Sequence, residues 1–233
     1  MKCICNDCKK TSSQTTDKCF KDLWLFETFN DSQLEELKKI GLKKTITKGN
    51  SIFAQGRPAN EMFLIKAGRI RLSKVQEDGA EITLDFRKAG DVVGENILSG
   101  EMDYPLSAWA MEETVTCGFN INSFNELILK HPDIGLSVIK SMGIKMVSMA
   151  DRLESMTENS LESRLHSVLS LVAKEHGTKV ADGFELNFSL THEELGFLVG
   201  AHRVSITKAM KSLIDCGKIL KNGKKITLIK SFS

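Results

Sequence analysis

The sequence predicts an α+β chain in which an antiparallel β-roll is followed by one long helix and then by a winged helix-turn-helix. Three observations carry this reading. Short apolar runs punctuated by glycine fill the first half, an apolar stripe at helical spacing follows, and a capping box with a glycine turn marks the last quarter.

In chain order, Ser32-Gln-Leu-Glu-Glu-Leu37 with Ile40 reads as a short amphipathic helix that stops at Gly41. Ile46, Ile52-Phe53, Met62 to Ile65, Ile70 to Leu72, Ile82 to Phe86 and Val115 to Phe119 then read as strands. Gly49, Gly56, Gly68, Asp78-Gly79 and Gly90-Asp91 supply the turns between them. From Asp133 the period changes. Ile139, Met142, Met146, Met149, Leu153 and Met156 recur at three and four, the seam of a helix that packs along a partner helix, most simply its own copy in a homodimer. A core face within one chain is the other use of such a stripe.

Thr191-His-Glu-Glu194 is a capping box that opens a helix ending at Gly200, and a second helix starts near Arg203. Within the second helix Ile206, Met210 and Leu213 face inward, leaving Arg203, Val204, Thr207 and Lys208 on the opposite side. Ile219 to Ile229 reads as a hairpin wing with Asn222-Gly223 in the turn. The chain therefore divides into residues 1–30, a cysteine-rich segment; 31–132, the roll; 133–158, the dimerisation helix; and 159–233, the winged helix-turn-helix.

Charge agrees with this division. The total is 32 basic against 30 acidic residues, or +2, yet residues 189–233 hold eight basic and three acidic side chains, 8 − 3 = +5, leaving −3 for the rest. A basic module on a mildly acidic body points to a polyanion such as double-stranded DNA as partner for one end. Arg203 suits a bidentate contact to guanine, Val204 offers methyls to thymine, and Thr207 and Lys208 reach bases or phosphates. Lys221, Lys224 and Lys225 suit phosphates.

A hydrophobic share of 41% and three prolines describe an ordinary globular chain, and no run is long and apolar enough for a membrane helix or a signal peptide. The expectation is a cytoplasmic protein without membrane attachment. No P-loop, nucleophile elbow, His-Glu-x-x-His or dinucleotide fingerprint is present, so an enzyme is not expected. Four of the six cysteines fall within the first 19 residues, and in a reducing compartment such clusters serve metal or redox chemistry. Cys117 taken alone is a buried strand cysteine, and Cys216 reads as a packing residue. His131, His166, His176, His192 and His202 are scattered without metal spacing.

The order of parts resembles the CRP/FNR family of bacterial transcription regulators over nearly the whole chain, most specifically in Gly90-Asp-Val-Val-Gly-Glu95 and in Thr191 to Leu213. The resemblance implies a roll of the cyclic-nucleotide-binding jelly-roll kind and a homodimer on a palindromic promoter site, working with RNA polymerase. Members that bind cyclic nucleotides hold the phosphate with an Arg-Ser pair; this chain reads Leu106-Ser107, which argues against cyclic AMP.

The FNR-like branch carries three N-terminal cysteines and a fourth in the roll, which bind an oxygen-labile [4Fe-4S] cluster. Cys5-Asn-Asp-Cys8 matches the close pair, Cys19 stands as the third and Cys117 as the fourth, with Cys3 as an alternative ligand. Ten residues separate Cys8 from Cys19, more than the branch usually has, and a longer loop costs little extra to close. Loss of the cluster to oxygen or nitric oxide would then switch DNA binding. The competing expectation within the family is a roll that senses haem-bound gas, a small metabolite or thiol oxidation without a cluster. Val204 stands where members often carry an acidic base-reading residue, so the operator cannot be borrowed.

Overall fold

Glycine and capping residues set where each element begins and ends. The computed structural model describes residues 29–100, 102–186, 188–223 and 225–229, in two compact units that meet at Gly143/Ile144.

In the first unit, α1 (Asp31–Ile40) opens with a capping box: the Asn30 side chain accepts from Gln33 N–H while the Gln33 side chain accepts from Asn30 N–H. The strands follow as β1 (Gly41–Ile46), β2 (Ser51–Phe53), β3 (Glu61–Ala67), β4 (Arg69–Val75), β5 (Glu81–Lys88), β6 (Val92–Val93), β7 (Ser107–Ala110) and β8 (Thr114–Asn120), with a 3-10 turn over Glu95–Ser99. They form two four-stranded antiparallel sheets, ordered β1-β8-β3-β6 and β2-β7-β4-β5. β3 and β8 are buried along most of their length, which is why Met62-Phe-Leu-Ile65 reads as an unbroken apolar run instead of alternating.

Two helices close the roll, α2 (Ile121–Lys130) and the first half of α3 (Pro132–Ser155). Leu37 from α1, Leu64 and Ile65 from β3, Phe119 from β8 and Ile134 from α3 share one core and are almost wholly excluded from water. Each such side chain contributes about 2 kcal/mol of burial. A polar latch ties α1 to the α2–α3 junction. Glu36 accepts from Lys130 Nζ at 2.6 Å and pairs with His131 Nε2 at 2.9 Å, and Gln33 Nε2 donates to Asp133 at 2.7 Å. The Lys130 and His131 bonds hold the Glu36 carboxyl below its ordinary pKa.

α3 begins one residue before the predicted start and ends at Ser155, so Met156 lies in the turn beyond it. The termination is local. Ser155 Oγ donates to Arg152 O at 2.7 Å, and Thr157 donates to Glu154 O from both its Oγ1, at 2.8 Å, and its N–H, at 2.9 Å, taking the carbonyl that another turn of helix would have used.

The second unit adds α4 (Leu161–His176), β9 (Thr178–Val180), β10 (Gly183–Leu186), α5 (His192–Val199), α6 (Arg203–Asp215), β11 (Ile219–Asn222) and β12 (Lys225–Ile229). Sequence reading supplied no element between 159 and 188, although the signal was there. Ser160 caps α4, and Leu165, Val168, Leu169 and Val172 recur at three and four as its buried face. The sheet β11-β12-β10-β9 is antiparallel throughout. Its tip departs from expectation by one residue. Asn222 pairs with Lys225, so Gly223, at φ 60°, leads the turn and Asn222 is the last strand residue.

Two turn glycines give a contrast that tests the roll. Both Gly68 and Gly79 have φ above +80°, but a Cβ at Gly68 would stand 2.5 Å from Thr114 Oγ1 and 2.7 Å from Glu113 O, whereas one at Gly79 meets nothing within 4 Å. Gly79→Ala should cost about 1 kcal/mol of unfolding free energy, the backbone penalty alone, and Gly68→Ala about 3 kcal/mol or more. Urea unfolding of the two variants measures the difference; equal losses would contradict the packing described.

Candidate nucleic-acid interface and sensor cavity

The second unit builds its face from the capping box outward. Thr191 Oγ1 accepts from Glu194 N–H at 3.1 Å while Glu194 accepts from Thr191 N–H at 2.7 Å, and α5 ends at Gly200 in the left-handed conformation. His202 then caps α6, its ring nitrogen 3.4 Å from Val204 N. On α6, Ile206, Ala209, Met210 and Leu213 are buried, and Arg203, Val204, Thr207 and Lys208 form an exposed strip. Sequence reading placed both sets correctly, because the 3.6-residue period fixes one when the other is buried.

The wing supplies Lys221, exposed on β11, and Lys225 on β12. Lys225 is engaged: its Nζ lies 2.8 Å from Glu185 Oε1. This pair is largely exposed, so it holds the ammonium weakly and would yield to a phosphate. Lys224 lies outside the described residues.

One contact on this face was not foreseen. His192 Nδ1, from the first turn of α5, lies 2.8 Å from Thr207 Oγ1, which itself donates to Arg203 O at 3.0 Å. Partial burial lowers the His192 pKa, and the nearby charges of Lys221 and Arg203 lower it further. The wing, the exposed strip of α6 and the start of α5 thus act on one histidine. The sequence signal would have been a histidine directly after the cap of the first helix.

In the first unit a cavity of about 330 Å³ opens in the roll. Phe53, Leu72, Leu98, Pro105, Leu106 and Met142 form its apolar wall, and Arg87, Glu95, Asn96 and Ser99 its polar part. The Arg87 side chain is only 7% exposed and pairs with Asp85 at 2.5 Å and with Glu95 at 3.6 Å. Its Nε has no hydrogen-bond partner among the described residues. One guanidinium against two carboxylates leaves this corner with no spare positive charge. Ser107, beside Leu106, is buried with Oγ accepting from Gln55 N at 3.0 Å.

Residues 43–131 match the cyclic nucleotide-binding domain family, and residues 163–231 match the Crp-like helix-turn-helix domain. The chain belongs to the CRP/FNR family of transcription regulators. It is similar to the anaerobic regulatory protein of Bacillus subtilis, 26% identical over 186 residues that cover 79% of this chain and 78% of that protein. Similar too are the global nitrogen regulator of a Synechocystis strain, 25% identical over 79% of this chain and 83% of that protein, and the fumarate and nitrate reduction regulatory protein of Salmonella typhimurium, 24% identical over 86% and 80%.

Among solved structures, the c-di-GMP responsive global regulator CLP of Xanthomonas campestris superposes with a TM-score of 0.72 at 17% identity, covering 87% of this chain and all of that one. A mutant of CooA from Carboxydothermus hydrogenoformans gives 0.70 at 23%, covering 88% and 90%. Both establish the fold. The relatives are regulators and not enzymes, in keeping with the absence of catalytic motifs. No helix among the described residues is long and apolar enough to cross a membrane.

The cysteines of this CRP/FNR regulator divide between described and undescribed parts. Cys3, Cys5, Cys8 and Cys19 lie outside the described residues. Cys117 is buried in β8, opposite Lys43 of β1 and Leu64 of β3. A Cβ at Gly41 would stand 2.6 Å from its Sγ and 2.8 Å from the Phe119 ring, so the sulfur packs closely against a position that only glycine fits. Among the described residues no three His, Cys, Asp or Glu side chains gather as metal ligands would. Cys216 does not pack inside as expected. It is the exposed C-cap of α6, its Sγ 3.4 Å from Leu213 O, because the helix ends there and Ile219 fills the interior behind it. Ile139, Met142, Met146, Met149, Leu153 and Met156 are all substantially exposed, together with Leu136, Ile144 and Val147, which the seam reading omitted.

Two histidines of the second unit give a pH dependence. Burial first, then the charge of Lys218, lowers the pKa of His166, and His192 is lowered as described. A histidine whose folded pKa lies below its unfolded value near 6.5 costs no stability above that value and takes stability away as pH falls below it. The melting temperature should therefore fall from pH 7.5 to pH 5.5, and His166→Gln should narrow the gap. An equal gap in the variant would remove His166 as a source.

Proposed function

We propose that the protein is a homodimeric, DNA-binding transcription regulator of the FNR-like kind, whose promoter binding is controlled by a [4Fe-4S] cluster sensitive to oxygen or nitric oxide. Residues 1–30 would serve as the sensing segment, 31–132 as the roll, 133–158 as the dimer helix and 159–233 as the DNA-reading module. The observation that carries the DNA part is the exposed strip of Arg203, Val204, Thr207 and Lys208 on a helix whose other face is buried, flanked by the lysines of the wing. A palindromic site, RNA polymerase as partner and a cytoplasmic location follow from that reading.

The cluster reading rests on donor chemistry. Cys117 offers a soft sulfur on the strand next to β1, and β1 directly follows α1 and the segment that holds Cys5, Cys8 and Cys19, with Cys3 as alternative. Four thiolates of this kind would hold the cluster, which when bound supplies a redox-labile cross-link. The chain's own part is mechanical. Restraint of the N-terminal segment would act through α1 and its latch, Glu36 and Gln33 on Lys130, His131 and Asp133, on the root of α3.

The dimer reading rests on the apolar face of α3, where Met146 is 72% exposed and Ile139 65%. Cyclic AMP is not the effector on this reading, because a phosphodiester in the cavity would meet Leu106 and an arginine already neutralised by Asp85 and Glu95. The cavity also favours a second reading, in which a small and largely apolar molecule in the roll is the signal.

Isolation and reconstitution without air tests the cluster and separates the readings. About four iron and four sulfide per chain should bind, and DNA retention should drop after exposure to air. Cys117→Ser should lose both the iron and the air response. Protein without iron and sulfide, or with identical DNA binding before and after air, would leave the second reading. For the seam, Met146→Glu should shift the anaerobic protein toward monomer in sedimentation. For the wing, Lys221→Ala should lower the slope of log affinity against log salt by roughly one.

A further inference from the structure

We infer that His192 is a specificity-determining positioning residue: by holding the Thr207 hydroxyl, it makes Thr207 read DNA with its methyl group and not with its oxygen. The inference rests on the reading of the α6 strip as the DNA face.

Threonine is ambiguous in a recognition helix. Its side chain splits between two rotamers, because Oγ1 can return to the carbonyl one turn back, and its hydroxyl can equally be turned out as donor or acceptor toward a base edge. Here the ambiguity is removed by two partners. Thr207 Oγ1 lies 3.0 Å from Arg203 O and 2.8 Å from His192 Nδ1. A carbonyl only accepts, so the single hydroxyl hydrogen goes to Arg203 O. The imidazole must then donate, which fixes the proton of neutral His192 on Nδ1. Burial and the cations of Lys221 and Arg203 favour that neutral form.

With its hydrogen on Arg203 O and one lone pair taken by His192, the oxygen has no donor left and is turned toward the helix, so the γ-methyl is the group Thr207 offers outward. Val204 stands three residues earlier on the same face, more than half exposed. Residues three apart are neighbours on a helix surface, so Val204 and Thr207 together present methyl groups between the cations Arg203 and Lys208. In the major groove the matching chemistry is the C5-methyl of thymine. The strip would therefore read a thymine step by apolar contact, with guanine or phosphate contacts from its charged neighbours. His192 acts only through Thr207.

The test uses full-length protein prepared without air and a pool of random duplexes. Wild type should enrich a site in which replacing one thymine by deoxyuridine, which removes only the methyl, weakens binding roughly three- to five-fold. His192→Ala should flatten that penalty toward one and relax the base preference at the same position. His192→Asn, which keeps a side-chain N–H near the place of Nδ1, should restore the penalty. An unchanged unfolding midpoint in each variant shows that the module still folds.

Wild type that enriches a site with a methyl penalty which His192→Ala retains would overturn the positioning role and leave the DNA face standing. A selected site with no methyl penalty in wild type would overturn it as well. Failure of wild type to enrich any duplex would remove the DNA-reading face itself.

Discussion

The structure depends most on how α3 divides its apolar side chains. Its first turns put Ile134 and Val138 into the roll core, fully or nearly fully buried, and so fix the helix to the sheets. Leu136 between them and Ile139, Ile144, Met146, Val147, Met149 and Leu153 beyond them lie exposed along it. On the reading proposed a second copy covers this face. Four of the nine methionines lie between residues 142 and 156, and on that reading they give the seam side chains that adapt when two helices shift. Met142 also lines the roll cavity, so the residue that would join the seam borders the space where a ligand would sit.

Charge separates the two units as sharply as apolar surface does. In the roll, positive charge is spent internally: Arg87 is buried between Asp85 and Glu95, and Arg71 pairs with Glu81. On the α6 strip the cations point outward, and Lys225 is tied only by an exposed pair. A buried cation outnumbered by two carboxylates has no charge left to attract an incoming anion, whereas exposed cations gain by releasing counterions from a polyanion. The same residue types thus serve opposite ends in the two halves of the chain.

What the sequence made legible follows from period and cap. The recognition helix was readable because Ile206, Met210 and Leu213 repeat at helical spacing behind a capping box, and that period places Arg203, Val204, Thr207 and Lys208 without further information. The roll strands from β1 to β5 were readable because each is followed within four residues by a glycine that takes a positive φ. The unread parts have different causes. Leu161–His176 has a clear apolar period but lies between two more distinctive segments. Cys216 looked internal because cysteine usually is, yet α6 ends there and leaves it outside. His192 and Thr207 stand fifteen residues apart, and only the turn between α5 and α6 brings them to hydrogen-bond distance.

The latch at the base of α1 has the strength a switch needs. Its apolar contacts, Leu34 and Leu37, are buried with the roll core and would keep α1 seated in any state. Its polar contacts are different. The Lys130 ammonium is mostly exposed and the Glu36 carboxylate partly so, and pairs of that kind are weak because water screens both charges. Coupling between sites in regulators is of the order of 1–3 kcal/mol. A few weak polar bonds between α1 and the root of α3 therefore supply a coupling of the right size, while a fully buried ion pair there would lock α3 in one state. On the reading proposed, restraint of the segment before α1 need only bias these bonds, and the long interval between Cys8 and Cys19 does not weaken that leverage. What bears on α3 is where α1 is held, and the latch at Glu36 and Gln33 sets that position.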